Sequence, residues 1–157
     1  MKRSLLAFPI IAFLTLGAGA TESTAPEPAV ASERAASSLL LGVAEAGPRL
    51  VAVGHWGHVV LSDDGGESWR QAKSVPTRAT LTAVYFVDAR QGWAVGHDAI
   101  ILHSNDGGES WQLQQFAPDL ETPLFSLWFE NARHGLAVGA YGMAFRTRDG
   151  EIGRAHV

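Results

Sequence analysis

Two aspartates sit in surroundings that suggest chemistry. Asp64 lies in SDDGGESW (Ser62–Trp69) and Asp106 in SNDGGESW (Ser104–Trp111). A carboxylate used as an acid or base needs a reacting group in front of it, yet hydroxyls and glycines flank both of these. That pattern folds a carboxylate back onto the N–H groups of its own turn. The glycines supply the positive φ of a tight hairpin. Ser62 and Ser104 bond across the turn, and Trp69 and Trp111 open the next strand with a large apolar plate. Ser62, Asp64, Gly66, Ser68 and Trp69 are therefore expected to be structural. The same holds for Ser104, Asp106, Gly108, Ser110 and Trp111, and for Asp149 in a third, partial copy.

The remaining polar candidates cluster in short Gly-bounded stretches. His55 and His58 form an H-x-x-H pair, and His97 and Asp98 occupy the places of His55 and Trp56 one unit later. A tetrahedral zinc site needs about four ligands, and these loops group them weakly. They read as hydrogen-bonding loop tips, with no metal and no cofactor. No Ser/His/Asp set, phosphate-cradling loop or cysteine site is present, so no catalytic residue is assigned.

These residues are set in a repeat. RLVAVGHWGHVVLSDDGGESW (residues 49–69) and QGWAVGHDAIILHSNDGGESW (residues 91–111) share eleven identities without a gap, at a spacing of 42 residues. HGLAVGAYGMAFRTRDG follows from His134. A period of about 40–45 residues holding four strand-sized pieces is one propeller blade. In the second unit the expected strands are 81–88, 92–95, 99–103 and 110–115, punctuated by Gly and Asp. Their nearly continuous apolar character suits sheets covered on both faces. The expected fold is all-β: an open propeller arc of about two and three-quarter four-stranded blades, too few to close a ring. The loops opposite the Asp turns, with His55, Trp56, His97, Asp98 and Tyr141, form the candidate partner face.

The turns match the Asp box, Ser-x-Asp-x-Gly-x-Ser/Thr-Trp, of bacterial neuraminidase (BNR) repeats. With AVG-x-x-G before the box and V-x-F-x-D-A-R before that, residues 38–150 resemble the photosystem II stability/assembly factor family of BNR propellers. Ala99 departs from the pattern, standing where the other copies have Gly57 and Gly142; so does Thr147-Arg148, which replaces Ser-Asp and Ser-Asn. The resemblance implies a non-catalytic interaction module. Its partner would be a protein, in a membrane or envelope complex that it helps assemble or stabilise. The rival reading is a sialidase-like glycoside hydrolase fragment, which the Asp boxes alone favour. That chemistry needs an arginine triad and a Tyr nucleophile paired with an acid, and its Phe/Tyr-Arg-Ile-Pro motif is absent. Arg90 and Arg133 instead sit equivalently after the first strand of their units.

The ends read differently. Lys2 and Arg3, the apolar run 5–16 and Ala18-Gly19-Ala20 form a secretory signal over residues 1–20, too short to span a membrane. Export to the periplasm is expected, or to the thylakoid lumen in a phototroph, with no span left after cleavage. Removing residues 1–20 leaves a formal charge of −6 and no basic stripe, so nucleic acid is not an expected partner. With no cysteine, packing alone must hold the fold. Residues 21–37, rich in Ala, Pro, Ser and Glu, read as a flexible leader. Residues 151–157 (EIGRAHV) break the box and match one reading frame of a sequencing adapter. They read as a non-native tail, with the repeat expected to continue.

Overall fold

The computed structural model describes residues 25–153. The expected signal segment and residues 154–157 lie outside the described residues.

The described residues form three antiparallel sheets in sequence order, each a meander. The first holds β1 (Leu40–Ala46), β2 (Arg49–Gly54), β3 (Val59–Ser62) and β4 (Arg70–Gln71). The second holds β5 (Leu81–Phe86), β6 (Gly92–Gly96), β7 (Ile101–Ser104) and β8 (Gln112–Gln115). The third holds β9 (Leu124–Phe129), β10 (Gly135–Gly139) and β11 (Ala144–Thr147). The first strand of each sheet packs against the first strand of the next, β1 on β5 and β5 on β9. That places the sheets as successive blades, as the repeat requires. Each inner strand also carries a register irregularity near its start, at Leu40/Gly42, at Leu81/Ala83 and opposite Val138/Gly139.

Two apolar seams join the blades. Val51, Val53, Val59 and Leu61 of the first blade bury against Val84, Phe86, Ala94, Leu102 and Trp111 of the second. Trp93, Val95 and Ile101 of the second bury against Leu127, Phe129 and Ala137 of the third. The Trp93 and Phe129 rings stack with centroids 3.7 Å apart and planes at 14°. Gly92 and Gly135 stand opposite Phe86 and Phe129 in register. A Cβ there would come within 2.6 Å and 2.4 Å of those rings, so glycine makes room for the phenyl group. Blade one has Leu50 opposite Glu45 at the same place and builds no such pair.

The segment read as a flexible leader is docked from Glu27 onward. Ala29 N donates to Val75 O at 2.9 Å, Ser32 N to Gln71 Oε1 at 2.8 Å, and Gln71 Nε2 to Val30 O at 3.0 Å. Arg78 pairs with Glu27 at 2.7 Å and donates to Pro28 O. Ala35 then buries on Ala52 and Val60, with Trp69 alongside. The physical reason lies in the repeat. Val75, in the link between blades one and two, belongs to the seam holding Ala94, Leu102 and Trp111, the equivalents of Ala52, Val60 and Trp69. The leader therefore fills on blade one the wedge that an inter-blade link fills on blade two. Composition alone hides this, because small and polar residues suit a shallow wedge as well as a free chain.

Candidate functional site

At one end of the blades, Asp64 Oδ1 accepts from Ser62 Oγ at 2.8 Å and Ser68 N at 2.9 Å, and its Oδ2 accepts from Ser68 Oγ. Ser62 Oγ takes the N–H of Gly66 at 2.8 Å, and Trp69 Nε1 donates to Gly66 O at 3.0 Å. Asp106, Ser104, Gly108, Ser110 and Trp111 repeat every one of these bonds. The third turn is half built. Thr147 Oγ1 and Glu151 N donate to Asp149 Oδ1, and Gly150 N donates to Thr147 Oγ1. After it, Ile152 is buried in the second seam and its N–H bonds Gln114 Oε1.

The hydroxyl and N–H of Ser68, then the hydroxyl of Ser62, hold Asp64 down at about 2. Burial pushes Asp106 up, but the donors from Ser110 and Ser104 outweigh it and hold it below the usual range. Carboxylates so committed are turn staples. Asp106→Ala is expected to cost about 1–3 kcal/mol, since the turn's donors lose their acceptor. For Asp64, folded below its unfolded value of 3.8, the stabilisation is present above 3.8 and lost as pH falls through about 2. The stability gap between wild type and Asp64→Ala, followed by urea melts, should accordingly close over that window. A gap that stays constant to pH 2 would refute the staple.

Beside the boxes lies a charge network across the first two blades that the sequence pattern does not announce. Arg49 pairs with Asp63 at 2.6 Å and Glu109 at 3.1 Å, and Arg70 bridges the same two acids. The repeat obscures it, because Gln91 and Gln112 replace Arg49 and Arg70 one unit later. Arg90 and Arg133 lie at this end too, and each offers its carbonyl to a box glycine, Gly107 and Gly150, at 2.9 Å.

The opposite end holds the candidate partner loops. Gly54, Gly96 and Gly139 end the second strands so tightly that a Cβ would lie 2.0–2.3 Å from the carbonyls of Leu39, Thr80 and Pro123. Those carbonyls accept the next N–H, from His55, His97 and Ala140. At each of these three places the chain then makes a one-turn 3-10 segment whose middle residue is left-handed: Trp56 (φ 57°), Asp98 (φ 57°) and Tyr141 (φ 55°). The next residue is Gly57, Ala99 or Gly142. Ala99 keeps a positive φ of 49° and is buried, with its N–H on Thr122 O. Trp56 is 57% exposed and Tyr141 95%.

His55 is exposed and rests on Trp56, rings 5.1 Å apart. His58 is buried and meets Ser38 Oγ through Nδ1 at 2.9 Å; burial first, then His55, lowers its pKa. The H-x-x-H pair is thus split between surface and interior. His55 and His97 occupy equivalent loops, and no hydrogen bond or ring contact joins them among the described residues. No group of three or more His, Cys, Asp or Glu able to hold a metal occurs among the described residues.

Residues 46–122 match the family described as photosynthesis system II assembly factor YCF48. Over those residues the repeat is that of the photosystem II assembly factor-like BNR propellers. A solved structure titled "YCF48 bound to D1 peptide" is similar at 24% identity and TM-score 0.62, over 71% of this chain and 38% of its own. YCF48 from Cyanidioschyzon merolae is similar at 21% identity and TM-score 0.59, over 74% of this chain and 38% of its own. At these identities the likeness shows the propeller fold, and this BNR arc spans under two-fifths of either structure. Comparison with curated proteins gave no match.

Proposed function

We propose that this chain is an exported, non-catalytic interaction module that helps assemble or stabilise a membrane or envelope protein complex. The observation that carries the reading is the loop end of the blades. Left-handed backbone costs a non-glycine residue about 1 kcal/mol or more. The repeat bears that cost at Trp56, Asp98 and Tyr141, and two of the three are aromatic side chains turned to solvent. Exposed aromatics on a rigid frame are what protein-binding surfaces use. The Asp boxes support the non-catalytic half, since their carboxylates are spent on their own turns. The resemblance to YCF48, one structure of which is titled as bound to D1 peptide, favours a membrane-protein subunit as the partner. The expected signal segment, with cleavage before Thr21, would deliver the chain to the compartment where such a subunit is exposed.

The test compares wild type, the double variant Trp56→Ala/Tyr141→Ala and Asp106→Ala. Each is titrated with a D1-type peptide and used to retain subunits from detergent-solubilised membranes. Wild type and Asp106→Ala are expected to bind, and the loop variant to lose binding while keeping its melting midpoint. Equal binding by all three would remove the loop face from the reading. Hydrolysis of a sialoside by wild type would overturn the non-catalytic assignment.

A further inference from the structure

Residues 27–32 of the leader are held as a peptide is held in a recognition groove. Gln71 ends β4, the outer strand of blade one, and its side-chain amide takes both polar groups of an extended backbone. Gln71 Oε1 accepts the N–H of Ser32 at 2.8 Å, and Nε2 donates to Val30 O at 3.0 Å. Those are the two bonds that one residue of a parallel neighbouring strand would make. In the link to blade two, Val75 O accepts the N–H of Ala29 at 2.9 Å. Arg78 closes the groove: its Nε donates to Pro28 O at 3.1 Å and its guanidinium pairs with Glu27 at 2.7 Å. Gln71, Val75 and Arg78 belong to blade one and its link to blade two, so the groove is complete within the described residues.

What the groove reads is not peculiar to the leader. Ser32, Val30, Ala29 and Pro28 are all held through main-chain groups, and only Glu27 through its side chain. The side-chain demands are short. Arg78 calls for an acid, the next residue can be a proline because only its carbonyl is used, and Ala29 packs half-buried against the first seam. Glu27, Pro28, Val30 and Ala31 are exposed, so little apolar area is buried here. An exposed ion pair and bonds that water can replace make a loose hold. The leader's fully buried anchor comes later, at Ala35.

We propose that this groove is a peptide site, which residues 27–32 occupy in cis and yield to an extended segment of a protein partner. That segment carries an acid, a proline and a small residue in that order. Trp56 borders the same groove with Val30, Ser32 and Arg78, so a segment bound there continues onto the loop face. That the occupant in trans comes from a protein partner rests on the function proposed above; the exchange itself does not.

Fluorescence anisotropy of a labelled peptide with the sequence of residues 26–32 (PEPAVAS), titrated with the purified chain, tests it. Wild type is expected to bind weakly, because its own leader competes at high effective concentration. The variant Glu27→Arg/Ala29→Pro sets like charges at Arg78 and removes the N–H that Val75 O accepts. Its emptied groove should bind the peptide about tenfold tighter or more. Arg78→Glu should reject PEPAVAS and bind PRPAVAS, which also shows that the substitution leaves the groove folded. Equal affinity of wild type and the opened variant, or no binding by the opened variant, overturns the proposal. So does an Arg78→Glu chain with no preference for the arginine peptide. Leaders exchanged between copies, seen in sedimentation as a wild-type dimer that the peptide does not dissociate, overturn it as well. No partner is present in the titration, so its failure leaves the loop-face test standing, and failure of the loop-face test leaves the groove.

Discussion

Trp93→Ala is expected to lower the stability of the arc by about 3–5 kcal/mol, the range for truncating a fully buried aromatic. Its side chain is 1% exposed and does three things at once. It stacks on Phe129 across the second seam, covers the ring of His103 within its own blade, and donates Nε1–H to Gly150 O at 3.3 Å. Truncation removes the central contact between blades two and three and leaves a cavity bounded by two rings. The loss should be uneven, because a blade contacts only its neighbours. Hydrogen exchange should show protection falling in β9–β11 while β1–β4 keep theirs. Trp93→Phe restores a stacking ring and should recover most of the loss. Uniform destabilisation of all three sheets, or a change below about 1 kcal/mol, would mean that the seam is not organised around Trp93.

Much of this is legible in the sequence, for reasons particular residues make plain. The spacing of AVG and DGGESW locates the second and third strands and the hairpin between them, since each needs a fixed backbone path. The blade architecture follows directly and stands, together with the family of the repeat. The docking of the leader is not legible, because Ala35 acts through its small size, which composition also assigns to a free chain. The Arg49–Asp63–Arg70–Glu109 network escapes because it occurs once among the described residues, and the repeat directs attention to what recurs. The division of His55 from His58 between surface and interior depends on the one-turn segment at residues 55–57, which no spacing rule announces.

Gly96→Ala, a single added methyl group, is expected to cost about 3 kcal/mol or more, the upper range for overpacking. Gly96 has φ −171°, ordinary extended backbone, so conformational preference gives no reason for glycine. The reason is space. An added Cβ would lie 2.1 Å from Thr80 O and 2.9 Å from Leu81 Cα, both main-chain atoms that no rotamer change can move. Thr80 O also accepts the N–H of His97, so relieving the clash breaks the bond that ties the loop to the inner strand. Gly65 supplies the control. It has φ +77°, and an added methyl group there would meet nothing within 4 Å, so Gly65→Ala should cost only the left-handed penalty of about 1–2 kcal/mol. Gly54 and Gly139 face Leu39 O at 2.0 Å and Pro123 O at 2.3 Å, and their alanine variants should group with Gly96 rather than with Gly65. The measurement is the urea midpoint of each variant. If Gly96→Ala melts with or above Gly65→Ala, close approach of the inner strand is not what holds the loop face in place.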